Sequence, residues 1–231
     1  MEYRAVVSDL FGTLIENPPM AHIEATISSM SEKLQIDHES FSRLCFKTND
    51  LRLSGTFPSF VVNVEHICHR LGFHPSASQI SRAADLVAAY SRRCLKRVHP
   101  GAMDTLSTLQ QLGLRLGLIS DATYEVPTAW PVTPFAEFIQ EPASSCEVKL
   151  KKPDPRIYQI AKERLHVTSQ VCVYVGGGGS NELSSTAEAE MFPILLAASR
   201  QTDPTYVHRP GAQAWQGQRV NSFSELLDKI S

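Results

Sequence analysis

Little in this sequence is extreme, and its shortages narrow the field. Charge of one sign is missing: 22 Lys and Arg stand against 24 Asp and Glu, for a formal net charge of −2 and a pI near 6.4. No electrostatic footprint for nucleic acid is present. No apolar run approaches the roughly 20 residues that a bilayer-spanning helix needs, so no membrane partner is expected. The start of the chain reads as a strand rather than a charged-then-apolar leader, which makes a cytoplasmic location the expectation. Cysteine is sparse: Cys45, Cys68, Cys94, Cys146 and Cys172 are odd in number and scattered, with no Cys-x-x-Cys pair. Free thiols in a reducing compartment follow. Internal repeats and low-complexity linkers are lacking apart from one run of four glycines. What remains, 231 residues of which 42% are hydrophobic, suits one large globular domain or a medium core with a smaller insertion.

What is there begins with Ala5-Val6-Val7-Ser8-Asp9. Two β-branched residues after an alanine predict a short buried strand that stops at Ser8-Asp9, and Gly12 permits a tight turn beyond it. An acid at the C-terminal end of a buried parallel strand stands where open α/β sheets hold their ligands. Capping the turn through backbone amides is the plainer job for Asp9. Asn17-Pro18-Pro19 then breaks the chain away from the strand. From Met20 to about Val98 the apolar spacing is helical throughout, predicting helices over 20–36, 39–53, 59–71 and 77–97. His99-Pro100-Gly101 closes this stretch. The expectation is an all-helical cap over residues 17–98, inserted between two proline hinges into an α/β core formed by residues 1–16 and 99–231.

The core resumes with a predicted helix over 102–112, ended by Gly113, and a strand over Leu114–Ile119 that runs into Ser120-Asp121. Three prolines within 122–136 limit that segment to a short helix and an irregular connection, and Phe138-Ile139 reads as a brief third strand. Asp154 and Pro155 form a helix start, with Lys151 and Lys152 just before it. Val171–Val175 and Phe192–Ala197 are further strands, and between them Gly176–Gly179 leads through Ser180, Asn181 and Glu182 into a helix ending near Ala189. Residues 206–231 read as a short edge element and a last helix over 222–230. Repeated strand-then-helix units give a Rossmann-like α/β fold, a mainly parallel sheet with helices on both faces.

Several strand ends meet at one edge of such a sheet, gathering Asp9, Ser120, Lys152 and the glycine run. In motif order and spacing, over nearly the whole chain, the sequence resembles the haloacid dehalogenase (HAD) superfamily of hydrolases with a helical cap after the first motif. Asp9-Leu10-Phe11-Gly12-Thr13-Leu14 resembles its first motif and Ser120 its second. Lys152 before Pro153-Asp154-Pro155 resembles the third, and Val175–Leu183 the fourth. The resemblance implies Asp9 as nucleophile, Lys152 as fixed positive charge and Ser120 as hydroxyl donor. It also implies magnesium held by Asp9, the backbone carbonyl of Phe11 and an acid of the fourth motif, here Glu182. Gly12, Thr13, Asp121 and, from the cap, Arg52 are the candidates for binding a small anionic substrate, with Arg43 and His66 as further cap residues to test. A carboxylate that attacks phosphorus forms an aspartyl-phosphate and splits one hard hydrolysis into two easier steps. A phosphatase of small phosphorylated metabolites is therefore the first expectation.

Two departures keep other readings open. Phe11 stands where family phosphatases carry a second aspartate that protonates the leaving group, help worth ~10²–10⁴-fold. Dehalogenase-type members lack it too, because halide departs without a proton. Asp121 could carry the proton instead, or cap a following helix. Gly177 stands where the family pattern Val-Gly-Asp places a magnesium-binding aspartate. The four glycines could cradle an anion through their amides or form a bare turn. A 2-haloacid dehalogenase-type carbon–halogen hydrolase and a catalytically impaired HAD-like binding protein are the alternatives.

Overall fold

The computed structural model describes residues 3–197 and 210–230. Its strands are β1 (Ala5–Ser8), β2 (Arg115–Ser120), β3 (Ala143–Ser144), β4 (Cys172–Gly176), β5 (Phe192–Leu196) and β6 (Arg219–Val220). They form one six-stranded sheet in the order β3-β2-β1-β4-β5-β6, and every neighbouring pair is parallel. Side chains alternate across it. Val6, Leu118, Val173, Val175 and Ile194 face one apolar cluster, whereas Val7, Ile119, Tyr174 and Leu195 face another. Both faces are buried, which is why these strands read as continuous apolar runs rather than as alternating ones.

Five helices lie between β1 and the rest of the core: α1 (Met20–Leu34), α2 (His38–Lys47), α3 (Asn49–Leu53), α4 (Phe60–Arg70) and α5 (Ala77–Leu95). They bury a cluster of their own around Met30, Phe41, Val64 and Ile67. The chain enters and leaves this insertion side by side, with His99 N bonded to Leu14 O and Glu16 N to Arg97 O, both at 2.9 Å. The core helices are α6 (Ala102–Gln111), α7 (Glu125–Ala129), α8 (Ser145–Val148), α9 (Pro155–Leu165), α10 (Glu182–Glu188), α11 (Pro210–Ala214) and α12 (Phe223–Ile230). Helices α6 and α12 cover the first face of the sheet, and α9 and α10 the second.

Three expectations need correction. The helix expected over 39–53 is two helices, α2 and α3, which meet at Thr48, whose amide and hydroxyl both donate to Leu44 O, at 2.9 and 2.8 Å. Phe138-Ile139 is not a strand. The amides of both residues donate to Phe135 O, and Ile139 O accepts the Trp130 indole N–H, so the groups a ladder needs are engaged locally. The third strand is Ala143–Ser144 instead. The tail holds the expected edge strand and last helix, preceded by the unexpected α11, while residues 206–209 and 231 of that expectation lie outside the described residues. Among the described residues no helix is long and apolar enough to cross a membrane.

Candidate active site

Asp9 is the first residue past β1. Its amide donates to Val175 O at 2.8 Å, extending the parallel ladder by one step and fixing the carboxylate at the edge of the sheet. Gly12, at a φ of 78°, then turns the chain back so that the Thr13 amide meets Leu10 O and the Thr13 hydroxyl stands 3.5 Å from Asp9 Oδ2. Only 7% of Asp9 is exposed.

Lys152 comes from the loop before α9. Its backbone N–H is held by Asp121 Oδ1 at 2.9 Å, which aims the side chain inward. The ammonium lies 2.7 Å from Asp9 Oδ1 and 2.6 Å from Glu182 Oε2. Glu182, the first residue of α10, is fully buried. Its Oε2 also accepts from the Tyr174 hydroxyl at 2.7 Å and its Oε1 from the Gly178 amide at 2.7 Å. A Cβ on residue 176 would sit 2.5 Å from Glu182 Oε1, so glycine there lets the carboxylate fold back over the end of β4. Asp9, Lys152, Glu182 and Tyr174 thus form one buried hydrogen-bonded cluster.

Electrostatics follow from this packing. Burial, opposed by Lys152 and assisted by the negative charge of Glu182, lifts the Asp9 carboxyl to about 6. Burial alone would depress the Lys152 ammonium. Asp9 and Glu182 more than offset it and hold the lysine above its ordinary value, so it stays charged. Burial and the neighbouring carboxylates raise Tyr174, which therefore remains a phenol that donates. Ser120 ends β2, fully buried, and its hydroxyl has no hydrogen-bond partner among the described residues; Ser144, paired with it across the strands, is in the same condition.

A cavity of about 220 Å³ lies between the insertion and these strand ends, with Phe11, Asp121, Ala122 and Val126 from the core and Ile27, Met30, Arg52 and Phe60 from the insertion among its lining residues. Arg52 is placed by α3. Its Nη1 donates to Cys45 O, the Thr48 hydroxyl and Asn63 Oδ1 at 2.9–3.0 Å, and its guanidinium lies 5.1 Å over the Phe60 ring. Its Nε is buried without a partner among the described residues. Arg43 and His66 do not line the cavity, and His66 packs against Phe57 instead. A larger cleft of about 640 Å³, lined by Arg4, Arg115 and His166, opens where β1 and β2 begin, at the end of the sheet away from Asp9.

The structure therefore brings Asp9, Thr13, Lys152 and Glu182 together, with Asp121 and Arg52 on the adjoining cavity. Asp121 does not cap a helix: α7 starts at Glu125, and the Asp121 carboxylate takes the Lys152 amide instead. The glycine run serves Glu182, through the Gly178 amide, before any external anion. Sequence reasoning missed Tyr174. Its signal was its place on β4, two residues from Cys172 and on the face opposite Val173 and Val175, with a polar tip near the strand end.

The magnesium site that the resemblance implies was tested against these contacts. Oxygens of the two carboxylates, Asp9 and Glu182, already hold the Lys152 ammonium, Glu182 has a donor on each oxygen, and residue 177 contributes no carboxylate. Among the described residues no group of three His, Cys, Asp or Glu side chains could hold a metal ion. This donor set does not fit magnesium as the family commonly binds it.

Comparison with known proteins agrees with this architecture. Over 239 aligned residues the chain is 26% identical to (S)-2-haloacid dehalogenase 4A of Burkholderia cepacia, covering 96% of this chain and 93% of that one. A solved 2-haloacid dehalogenase from Pseudomonas syringae pv. Tomato DC3000 shares the fold with a TM-score of 0.70 at 19% identity, over 98% of this chain and 97% of the other. A HAD phosphatase from Thermococcus onnurineus does so with a TM-score of 0.67 at 18% identity, over 99% and 98%. Fold likeness alone does not choose between those two chemistries. Residues 3–188 match the haloacid dehalogenase-like hydrolase family, a span running from β1 through the insertion to the helix that carries Glu182, and the chain belongs to that family.

Proposed function

We propose that the protein hydrolyses a carbon–halogen bond of a small carboxylate through a covalent ester on Asp9. The carrying observation is the charge of the buried cluster. Lys152 is the cation held between Asp9 and Glu182, so with both carboxylates ionised the cluster keeps one net negative charge. Unit charges about 4 Å apart repel by about 4 kcal/mol at an effective dielectric of about 20. A phosphate dianion meets roughly twice the repulsion that a monocarboxylate does. Halide also departs without a proton, which suits a site with Phe11 two residues after the nucleophile.

In this reading Lys152 engages Asp9 Oδ1 and leaves Oδ2 to attack. The Oδ2–carbon bond forms as the carbon–halogen bond breaks, and the halide leaves with the electron pair. Arg52 receives the substrate carboxylate, and the apolar walls of the cavity keep bulk water from the displacement. The insertion acts as the cap that closes over Asp9.

A second reading is phosphate-monoester hydrolysis through an aspartyl-phosphate at Asp9. The buried, unpartnered Ser120 hydroxyl favours it, as a donor suited to a phosphoryl oxygen. One pair of assays separates the two: chloride release from 2-chloropropionate in excess chelator, and nitrophenol release from p-nitrophenyl phosphate with magnesium in excess. Chloride release that disappears in Asp9→Asn supports the first reading. Phosphate-ester turnover without chloride release replaces it with the second.

A further inference from the structure

We infer that Asp121 is the base that activates water to hydrolyse the Asp9 ester, the proton-carrying role left unfilled by Phe11. The inference rests on Asp9 being a covalent nucleophile. Among the residues lining the cavity Asp121 is the one carboxylate, and no histidine is among them. Its Oδ1 is tied to the Lys152 amide, which leaves Oδ2 for a water proton. Lys152 links the two acids directly, with its backbone N–H on Asp121 and its ammonium on Asp9. The parallel register of β1 and β2, with Ser8 opposite Leu118, also sets Asp9 and Asp121 just past neighbouring strand ends.

The other candidates are engaged or misplaced. Glu182 carries donors on both oxygens, from Lys152, Tyr174 and Gly178. Glu125 lies on α7, four residues further than Asp121 from the end of β2.

The step balances as follows. Water attacks the Asp9 carbonyl carbon as Asp121 takes one of its protons, giving a tetrahedral oxyanion against the Lys152 ammonium. Collapse breaks the bond between that carbon and the substrate oxygen. The departing alkoxide takes the proton from Asp121 and leaves as the alcohol. Asp9 regains a carboxyl group, with one oxygen from water, and loses its proton to solvent.

Asp121→Asn tests this, because the amide oxygen still accepts from Lys152 N–H but is no base. The probe is whichever of 2-chloropropionate and p-nitrophenyl phosphate the wild-type protein turns over. With the phosphate, water attacks phosphorus, the bond from phosphorus to Asp9 breaks, Asp9 leaves as the carboxylate, and Asp121 passes the water proton to solvent. Expected are about one equivalent of leaving group per site, then a stall, with the adduct on Asp9 visible by mass spectrometry. Continued turnover should fall by ~10²–10⁴-fold. Asp121→Glu, which keeps a carboxylate, is expected to clear the adduct. Wild-type turnover in Asp121→Asn overturns the assignment, as does loss of even the first equivalent at an unchanged melting temperature. Equal stalling of the Asn and Glu variants also overturns it, because the carboxylate would then be acting by position alone. A wild-type protein inert towards both probes removes the Asp9 reading, and this inference with it.

Discussion

At the strand ends the Lys152 ammonium bonds Asp9 and Glu182, Tyr174 closes on Glu182, and the Gly178 amide takes the remaining carboxylate oxygen. On the side towards the insertion, Arg52 Nε, Asn63 Nδ2 and Glu125 Oε2 are buried with no hydrogen-bond partner among the described residues. A buried polar atom without a partner costs about 1–3 kcal/mol, and more when charged. In the first region each member of the cluster is hydrogen-bonded within it, so it stands assembled before any substrate arrives, with a remaining cost of burial on ionised Asp9. The second leaves two donors and a carboxylate oxygen whose cost a ligand, water or a shift of the insertion would relieve. With chemistry proposed for the core and recognition for the insertion, substitutions in the two should fail differently.

The sharpest contrast lies within the cluster itself. Asp9→Asn should abolish turnover, by at least about 10⁴-fold for loss of a nucleophile, yet leave the protein melting no lower than wild type. Because burial raises the Asp9 carboxyl from 3.8 to about 6, the native state binds more protons than the unfolded chain within that window. Stability contributed by this group therefore falls as pH rises from 3.8 to about 6, and ionised Asp9 is a standing cost at pH 7. The amide removes that cost. The same value predicts that wild-type kcat/KM climbs with pH, is half-maximal near 6 and is flat above, since the nucleophile must be ionised. A profile flat down to pH 5 would show that Asp9 is not lifted in this way.

Lys152→Ala should damage both properties. It leaves two buried carboxylates facing each other without their cation, and breaking such a pair costs about 3–5 kcal/mol. Urea denaturation at pH 7.5 and pH 5 would measure it, with the deficit shrinking at the lower pH as Asp9 takes up a proton. A deficit independent of pH would mean that lost packing, rather than unpaired charge, explains the loss.

These contacts were legible in the sequence to different depths. The sheet could be read because Val6-Val7, Leu116–Ile119 and Val173–Val175 are apolar on both faces, as a doubly covered parallel sheet requires. Asp9 and Lys152 could be placed because each follows or faces a strand end. Ala143-Ser144 could not be read as a strand, since two small residues carry no periodicity, while the more apolar Phe138-Ile139 attracted the assignment. The division at Thr48 was hidden because no glycine or proline stands between residues 39 and 53 to mark it. Asp121 was ambiguous for a similar reason: a polar residue after a strand suits a helix cap or a site equally, and only the Lys152 amide decides between them.

Arg52 carries the middle-sized effect. Arg52→Lys keeps the charge but loses the fork that spans Cys45, Thr48, Asn63 and the face of Phe60. A hydrogen bond to a charged group is worth about 1.5–3 kcal/mol, so KM should rise roughly 10- to 150-fold with kcat much less affected. An equal fall in kcat at constant KM would move Arg52 from recognition into the chemical step and blur the division between the two regions.

The smallest effect tests how the regions are joined. Lys151, next to Lys152, bonds Asp50 on α3 at 2.6 Å, two residues before Arg52. The side chains are 38% and 75% exposed, and pairs of this kind are worth only about 0.2–1 kcal/mol. Its position matters more than its strength, because it connects the loop that aims Lys152 to the helix that aims Arg52. Asp50→Ala and Lys151→Ala should each raise KM by roughly 1.5- to 5-fold, the double variant no further, and the exchanged pair Asp50→Lys with Lys151→Asp should recover most of the loss. Added salt should raise wild-type KM more than that of the alanine variants, since only the wild type loses this pair to screening in addition to the attraction between Arg52 and its substrate. Additive effects in the double variant would mean that α3 is seated by its packing against α8 alone, and that recognition is positioned independently of the catalytic lysine.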